Sequence, residues 1–224
     1  MKKYLLFVSM FIFTISTIKA DDLSFGGNGG PVRKGNNADF LGLFLDDGNL
    51  VFCAGYGTPN LMSAVFTTFK KYGDYTGSSF GPLHIKFEYF LSDEFGIGIS
   101  SNIASSQSTW VFVIDSNSYK ESLNYNSTSF NVRFNYHFYS EGRLDIFAGG
   151  GLGYRFSNSK FTSEDPKRKL SFSLPNYFPV GFEATCGIRY FFNDNIGIYA
   201  EVGIAKSIIQ AGIAINIDTK NIKL

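Results

Sequence analysis

From Leu50 to Asp218, apolar and polar residues alternate with a period of two in a series of separate stretches. That period marks extended strands whose two faces meet different surroundings, because successive side chains point to opposite sides. Eight strands are predicted, at 50–57, 82–91, 95–106, 127–139, 143–157, 177–192, 196–205 and 207–218. The sixth has the clearest pattern. Phe182, Ala184, Cys186, Ile188, Tyr190 and Phe192 share one face, against Gly181, Glu183, Thr185, Gly187 and Arg189 on the other. In the fourth, Phe130, Val132, Phe134, Tyr136 and Phe138 oppose Asn131, Arg133, Asn135, His137 and Tyr139.

The connections carry independent information. Ser92–Glu94, Ser140–Gly142 and Asn193–Asn195 read as tight polar turns, whereas 58–81, 107–126 and 158–176 read as long polar loops. Short and long connections alternate, so the short turns collect at one end of a sheet and the long loops at the other. That asymmetry belongs to outer-membrane barrels. The polar face is crowded with glycine and charges of both signs, which suits the narrow interior of an eight-stranded barrel. The opposite face of Phe, Ile, Val, Leu and Tyr suits lipid, and a closed ring satisfies every backbone group within hydrocarbon. The fold class read from the pattern is all-β, an eight-stranded antiparallel up-and-down transmembrane β-barrel. A soluble secreted lipocalin-like binding barrel, with its apolar face turned inward, is the alternative.

The inward parity collects Lys86, Arg133, Arg155 and Arg189 against Glu88, Asp145, Glu183 and Glu201, with His137 beside them. Unpaired buried charge is expensive, so these groups are expected to pair across the lumen as a barrel-interior charge network that plugs it. A three-residue turn at 193–195 places Gly187 opposite Glu201 and Arg189 diagonal to Glu201. A three-residue turn at 140–142 places His137 opposite Asp145 and Arg133 opposite Gly149.

Composition narrows the chemistry. Charged residues make up 17% of the 224, with 20 basic and 19 acidic side chains, which excludes a strongly basic nucleic-acid binder. His84 and His137 are the only histidines and fall near opposite ends of the barrel, so they form neither a metal site nor a shared acid–base pair. No catalytic cluster, cofactor or metal site is predicted. Cys53 and Cys186 lie on non-adjacent strands and are expected as free thiols. Gly149-Gly150-Gly151-Leu152-Gly153 sits inside a strand with no helix after it, so it reads as close packing and not as a nucleotide loop. Asp165-Pro166-Lys167-Arg168-Lys169 reads as a solvated charge cluster in a loop.

The chain opens with Lys2 and Lys3, an apolar run from Tyr4 to Ile18, and then Lys19-Ala20 before Asp21-Asp22. This is the layout of a secretory signal peptide over residues 1–20. Residues 21–49 are an N-terminal leader with no assigned chemistry, 50–218 the barrel, and 219–224 a polar tail.

The stretch from Gly187 to Gly203, GIRYFFNDNIGIYAEVG, resembles the closing strands of small bacterial porin-family outer-membrane β-barrel proteins. GGGLGYRF from Gly149 to Phe156 resembles their mid-barrel strand, and Lys34-Gly35-Asn36-Asn37 the stretch before their first strand. The resemblance covers residues 50–218 and implies a fold similar to the OmpA and OmpX membrane domains. Such barrels often end in an aromatic residue read by the assembly machinery, and here the tail ends in leucine.

The function expected is an integral outer-membrane protein, exported through a cleaved signal peptide, with a structural or surface-interaction role carried by its extracellular loops. A narrow channel for small solutes is the alternative. A lipid-modifying barrel enzyme is less favoured, since it needs a nucleophile and a base together near the outer rim. Expected partners are outer-membrane lipid and lipopolysaccharide, the barrel assembly machinery and a surface ligand held by the loops, with no nucleic acid.

Overall fold

The computed structural model describes residues 45, 47–68, 74–114, 117–166, 171–174 and 178–219. The expected signal peptide, nearly all of the expected leader, the basic run 167–169 and residues 220–224 lie outside the described residues.

Among the described residues, strands run β1 (Asn49–Thr58), β2 (Asp74–Phe90), β3 (Phe95–Ile114), β4 (Asn117–Glu141), β5 (Leu144–Ser163), β6 (Ser171–Leu174), β7 (Val180–Phe191), β8 (Ile196–Ile204) and β9 (Ile209–Asp218). One short helix, α1 (Leu61–Phe66), lies between β1 and β2. Apart from β6 and β7, neighbours in sequence pair antiparallel; β5 pairs with β7, and β9 returns to β1 from Asn49↔Asp218 to Thr58↔Ile209. Eight strands therefore close into a ring, and β6 is a short addition beside the outer end of β5.

The alternation settles which face is which. Leu152, Phe134 and Phe138 point out of the ring and are 69%, 63% and 63% exposed, with Phe130, Tyr154, Phe182, Ile198 and Ile213 around the same belt. The other parity faces the bore and is buried. At the tight-turn end that bore is apolar: Leu45, Val51, Cys53, Phe90, Phe191, Tyr199 and Ala214 form one cluster. Among the described residues Cys53 and Cys186 are free, one buried and one exposed.

Two expectations need correction. The long loops are largely strand. β3 and β4 stay paired out to Ile114↔Asn117, β4 and β5 out to Glu121↔Ser163, and β2 begins at Asp74. The buried inner face of these extensions carries mostly serine, Ser106, Ser108, Ser127 and Ser163, so apolar alternation fades while the backbone ladder continues. Within 58–81 the sequence reading also missed α1, whose cap Asn60 accepts a hydrogen bond from Ser63 N at 3.2 Å. The same side chain donates to the carbonyls of Phe80, Gly81 and Ser105, tying the helix to the outer wall.

The turn after β4 is the second correction. Glu141 faces Leu144 across a two-residue turn, Gly142-Arg143, with Gly142 at φ 60°, a conformation glycine adopts without a Cβ clash. A bulge at Phe138 then absorbs one residue, so His137 faces Phe147 and Arg133 faces Gly151. The bulge restores the inward parity that the shorter turn would have reversed. On the other side, Gly187 does face Glu201, as the 193–195 turn requires.

Strand lengths divide the barrel unevenly. A membrane-crossing strand needs about 9–11 residues. β1, β8 and β9 have 10, 9 and 10, whereas β3, β4 and β5 have 20, 25 and 20. One wall of the ring therefore rises well beyond the other on the outer side. Trp110 Nε1 donates to Glu121 Oε2 at 2.8 Å on this raised wall, and Ser163 Oγ donates to Glu121 Oε1 at 3.1 Å.

Candidate functional site

The bore is filled in layers. Nearest the apolar end, Arg189 sits over the Phe147 ring, 4.1 Å from its centroid. Its guanidinium reaches Glu88 through Nη2 and Asp145 Oδ2 through Nη1, the latter at 3.1 Å. His137 lies between the same two acids, with Nδ1 2.7 Å from Asp145 Oδ1 and Nε2 3.0 Å from Glu88 Oε1. Asn135 Nδ2 adds a donor to Glu88 Oε1 at 2.5 Å. Ionised carboxylates only accept, so an imidazole with a carboxylate on each nitrogen must donate twice, and only the imidazolium can do so.

The next layer centres on Glu201. Its Oε2 accepts from Lys86 Nζ at 2.6 Å, Thr185 Oγ1 at 2.6 Å and Gln210 Nε2 at 3.0 Å. Arg133 Nη1 lies 3.1 Å from Glu183 Oε1 and 3.5 Å from Glu201 Oε2, and Nη2 donates to Asn135 and Thr185. Glu183 also accepts from Ser100 Oγ at 2.6 Å and Asn102 Nδ2 at 3.1 Å. The glycines of the GGGLG run make room here: a Cβ on Gly151 would meet Glu183 Oε1 at 2.9 Å and Arg133 Cγ at 3.0 Å.

The structure thus brings together Lys86, Glu88, Arg133, His137, Asp145, Glu183, Arg189 and Glu201, all nearly fully buried. Two expected contacts are replaced. Arg189 does not pair with Glu201 across the β7–β8 hairpin; its partners lie on β2 and β5, because the side chain crosses the bore instead of lying along the wall. Arg155 does not join the network either. It sits in the outer half of β5, stacks over Phe178 at 5.3 Å and donates to the Phe178 carbonyl at 2.5 Å. His137, as imidazolium, supplies the fourth positive charge instead. Four cations then balance four carboxylates.

Toward the outer end the bore becomes polar and uncharged. His84 Nδ1 lies 2.6 Å from Asn102 Oδ1, and His84 Nε2 lies 3.0 Å from Ser207 Oγ. Ser207 belongs to the short connection between β8 and β9. The sequence carried no signal for this contact, since Ser207 and His84 are more than a hundred positions apart and neither lies in a recognisable motif.

At the rim, Lys206 Nζ donates to Ser127 Oγ at 2.5 Å. Partial burial, and then the nearby positive charge of Arg155, push this lysine down to about 7. A base held below its unfolded value makes the folded state relatively less stable wherever the unfolded chain still carries the proton. The penalty is full below about pH 7 and fades as pH rises toward the ordinary lysine value. Lys206→Met is therefore expected to raise the urea midpoint of unfolding at pH 6 and to have little effect near pH 10. Equal shifts at both pH values would contradict this.

Comparison with known proteins adds distant likenesses. No family model matches the sequence. No curated protein matches it either. Among solved structures, the N-terminal β-barrel domain of Pseudomonas aeruginosa OprF is 16% identical, with 77% of this chain and 100% of that one covered and a TM-score of 0.35. The attachment invasion locus protein Ail of Yersinia pestis is 13% identical over 76% of this chain and 95% of that one, with a TM-score of 0.41. The outer membrane protein OprG of Pseudomonas aeruginosa is 11% identical over 79% and 98%, with a TM-score of 0.40. The barrel itself is read from the closed strand pairing described above.

Proposed function

We propose that this chain is an integral bacterial outer-membrane β-barrel whose bore is a rigid plug and whose raised outer wall carries surface recognition. The observation behind the reading is the pairing of a sealed, charge-balanced interior with an apolar outer belt. An apolar belt around a closed ring needs lipid, not water, as its solvent, and closure leaves no backbone group unpaired within it. Paired charges on opposite walls brace the ring and fill the path an ion would take. The binding surface then has to lie beyond the bilayer, where β2–β5 overshoot the length a membrane crossing needs. Residues 1–20 act in this reading as a cleaved export signal and 21–49 as a leader. Lipid, lipopolysaccharide and the barrel assembly machinery are its membrane-side partners. The reading assigns no catalytic step to the charge network.

A narrow channel is the second reading. Planar-bilayer recording of the purified protein separates the two. The plug requires no steady conductance above the bare-bilayer baseline, and Glu201→Ala is expected to open measurable current by removing the group at the centre of the middle layer. Large, stable conductance in the unaltered protein would overturn the plug and favour the channel.

A further inference from the structure

The hydrogen-bond chain at the outer end of the bore has a direction, and the direction has chemical content. Glu183 Oε2 is a carboxylate oxygen and accepts from Asn102 at 3.1 Å, so the atom facing it is the amide nitrogen. The carbonyl oxygen of Asn102 therefore faces His84 Nδ1, at 2.6 Å, and must accept a proton from it. With Nδ1 carrying the hydrogen, the neutral ring has its lone pair on Nε2. That nitrogen lies 3.0 Å from Ser207 Oγ, which donates to it. Serine, a histidine base in a fixed tautomer, and an amide that orients the base are the three parts of a serine nucleophile.

Two further features favour this arrangement over a simple buried hydrogen bond. Glu183 is itself held by Arg133 and Ser100, so the orienting amide is locked from behind. Gly57 on β1 leaves the space in which serine and histidine meet: a Cβ there would lie 2.1 Å from Ser207 Oγ and 2.7 Å from His84 Nε2. The contact lies at the outer end, in a connection tied to α1 by Leu61 N donating to the Lys206 carbonyl at 3.1 Å. Above it the inward faces of β3 and β4 carry Ser106, Ser108 and Ser127, which are polar and, like Ser207 and His84, buried.

We infer that Ser207, with His84 as its base and Asn102 as the positioning residue, is an acyl-accepting nucleophile for small carboxylic esters. Ser207 Oγ attacks the ester carbonyl carbon as its proton passes to His84 Nε2. The acyl C–O bond to the alcohol breaks, the departing alkoxide takes that proton, and the acyl group remains on Ser207. Water, deprotonated by the same nitrogen, then releases the carboxylic acid and restores the serine. This goes beyond the plug-and-recognition reading, and its test is independent of conductance.

The test uses the full-length protein folded in detergent micelles, with folding verified by its electrophoretic mobility before and after heating. A biotinylated alkyl fluorophosphonate is the probe, and the adduct is located by peptide mass mapping. An adduct on Ser207 is expected that is absent from Ser207→Ala and forms on the order of 100-fold more slowly in His84→Gln, the size of a general-base contribution. Should His84→Gln fail to fold, the pH profile of the unaltered protein decides. A labelling rate that rises through a single imidazole deprotonation supports the assignment, and a flat profile overturns it. Folded protein with no Ser207 adduct, or one labelled equally fast without His84, overturns it as well.

Discussion

Glu201→Met is expected to lower the unfolding free energy by about 3–5 kcal/mol, the cost of breaking a buried ion pair by removing one partner. Lys86 has its ammonium on Glu201 Oε2 at 2.6 Å and loses that counter-charge in a bore where water cannot replace it. Thr185 and Gln210 lose an acceptor in the same step, and Arg133 loses the more distant of its two carboxylates. The double variant Lys86→Met with Glu201→Met is expected to recover much of the loss, since the stranded cation is gone and two apolar side chains take its place. Urea titration of the folded fraction, read from unheated gel mobility in lipid vesicles, measures both. A single variant as stable as the unaltered protein would show that the pair does not brace the ring.

Arg189→Met is the second large effect, again about 3–5 kcal/mol. The guanidinium bridges Glu88 and Asp145 and rests on the Phe147 ring, so its removal leaves two carboxylates sharing one imidazolium. The charge balance of the bore changes from neutral to one excess negative charge. Adding Asp145→Asn restores neutrality and keeps an acceptor for His137, so the double variant should be more stable than Arg189→Met alone. The same titration reads this out. If the second substitution only adds to the damage, the loss came from packing against Phe147 and not from stranded charge.

Much of the ring was legible because a sheet between lipid and a polar bore imposes the strictest alternation a strand can have. Phe182 to Tyr190 on β7 and Ile196 to Ile204 on β8 carry it without a break, and both strands match their expected positions to within a few residues. The extensions of β3, β4 and β5 were not legible. Ser105 to Ser108 and Asn124 to Thr128 meet polar surroundings on both sides, so no period survives in the side chains although the ladder continues. The interior charges were found by parity alone, but their partners were not. Parity says which way a side chain points, whereas cross-bore partners depend on ring size, strand tilt and the bulge at Phe138. Hence Arg189 was assigned to its hairpin neighbour, Arg155 was drawn into the network, and His137 was not counted among the cations. The Ser207–His84 contact was invisible for the same reason, being a meeting of two walls.

The pairing of β1 with β9 bears on how the molecule is made. These two strands come from opposite ends of the described chain, and every other pairing in the ring can form between segments closer in sequence. Joining them is the most expensive loop closure in the fold and gains its contacts last. Until it happens, the eight ring strands form a curved open sheet with two raw edges, an arrangement prone to sticking to other chains. The seam is thus the step at which biogenesis needs an escort, and the place where a finished ring would first come undone.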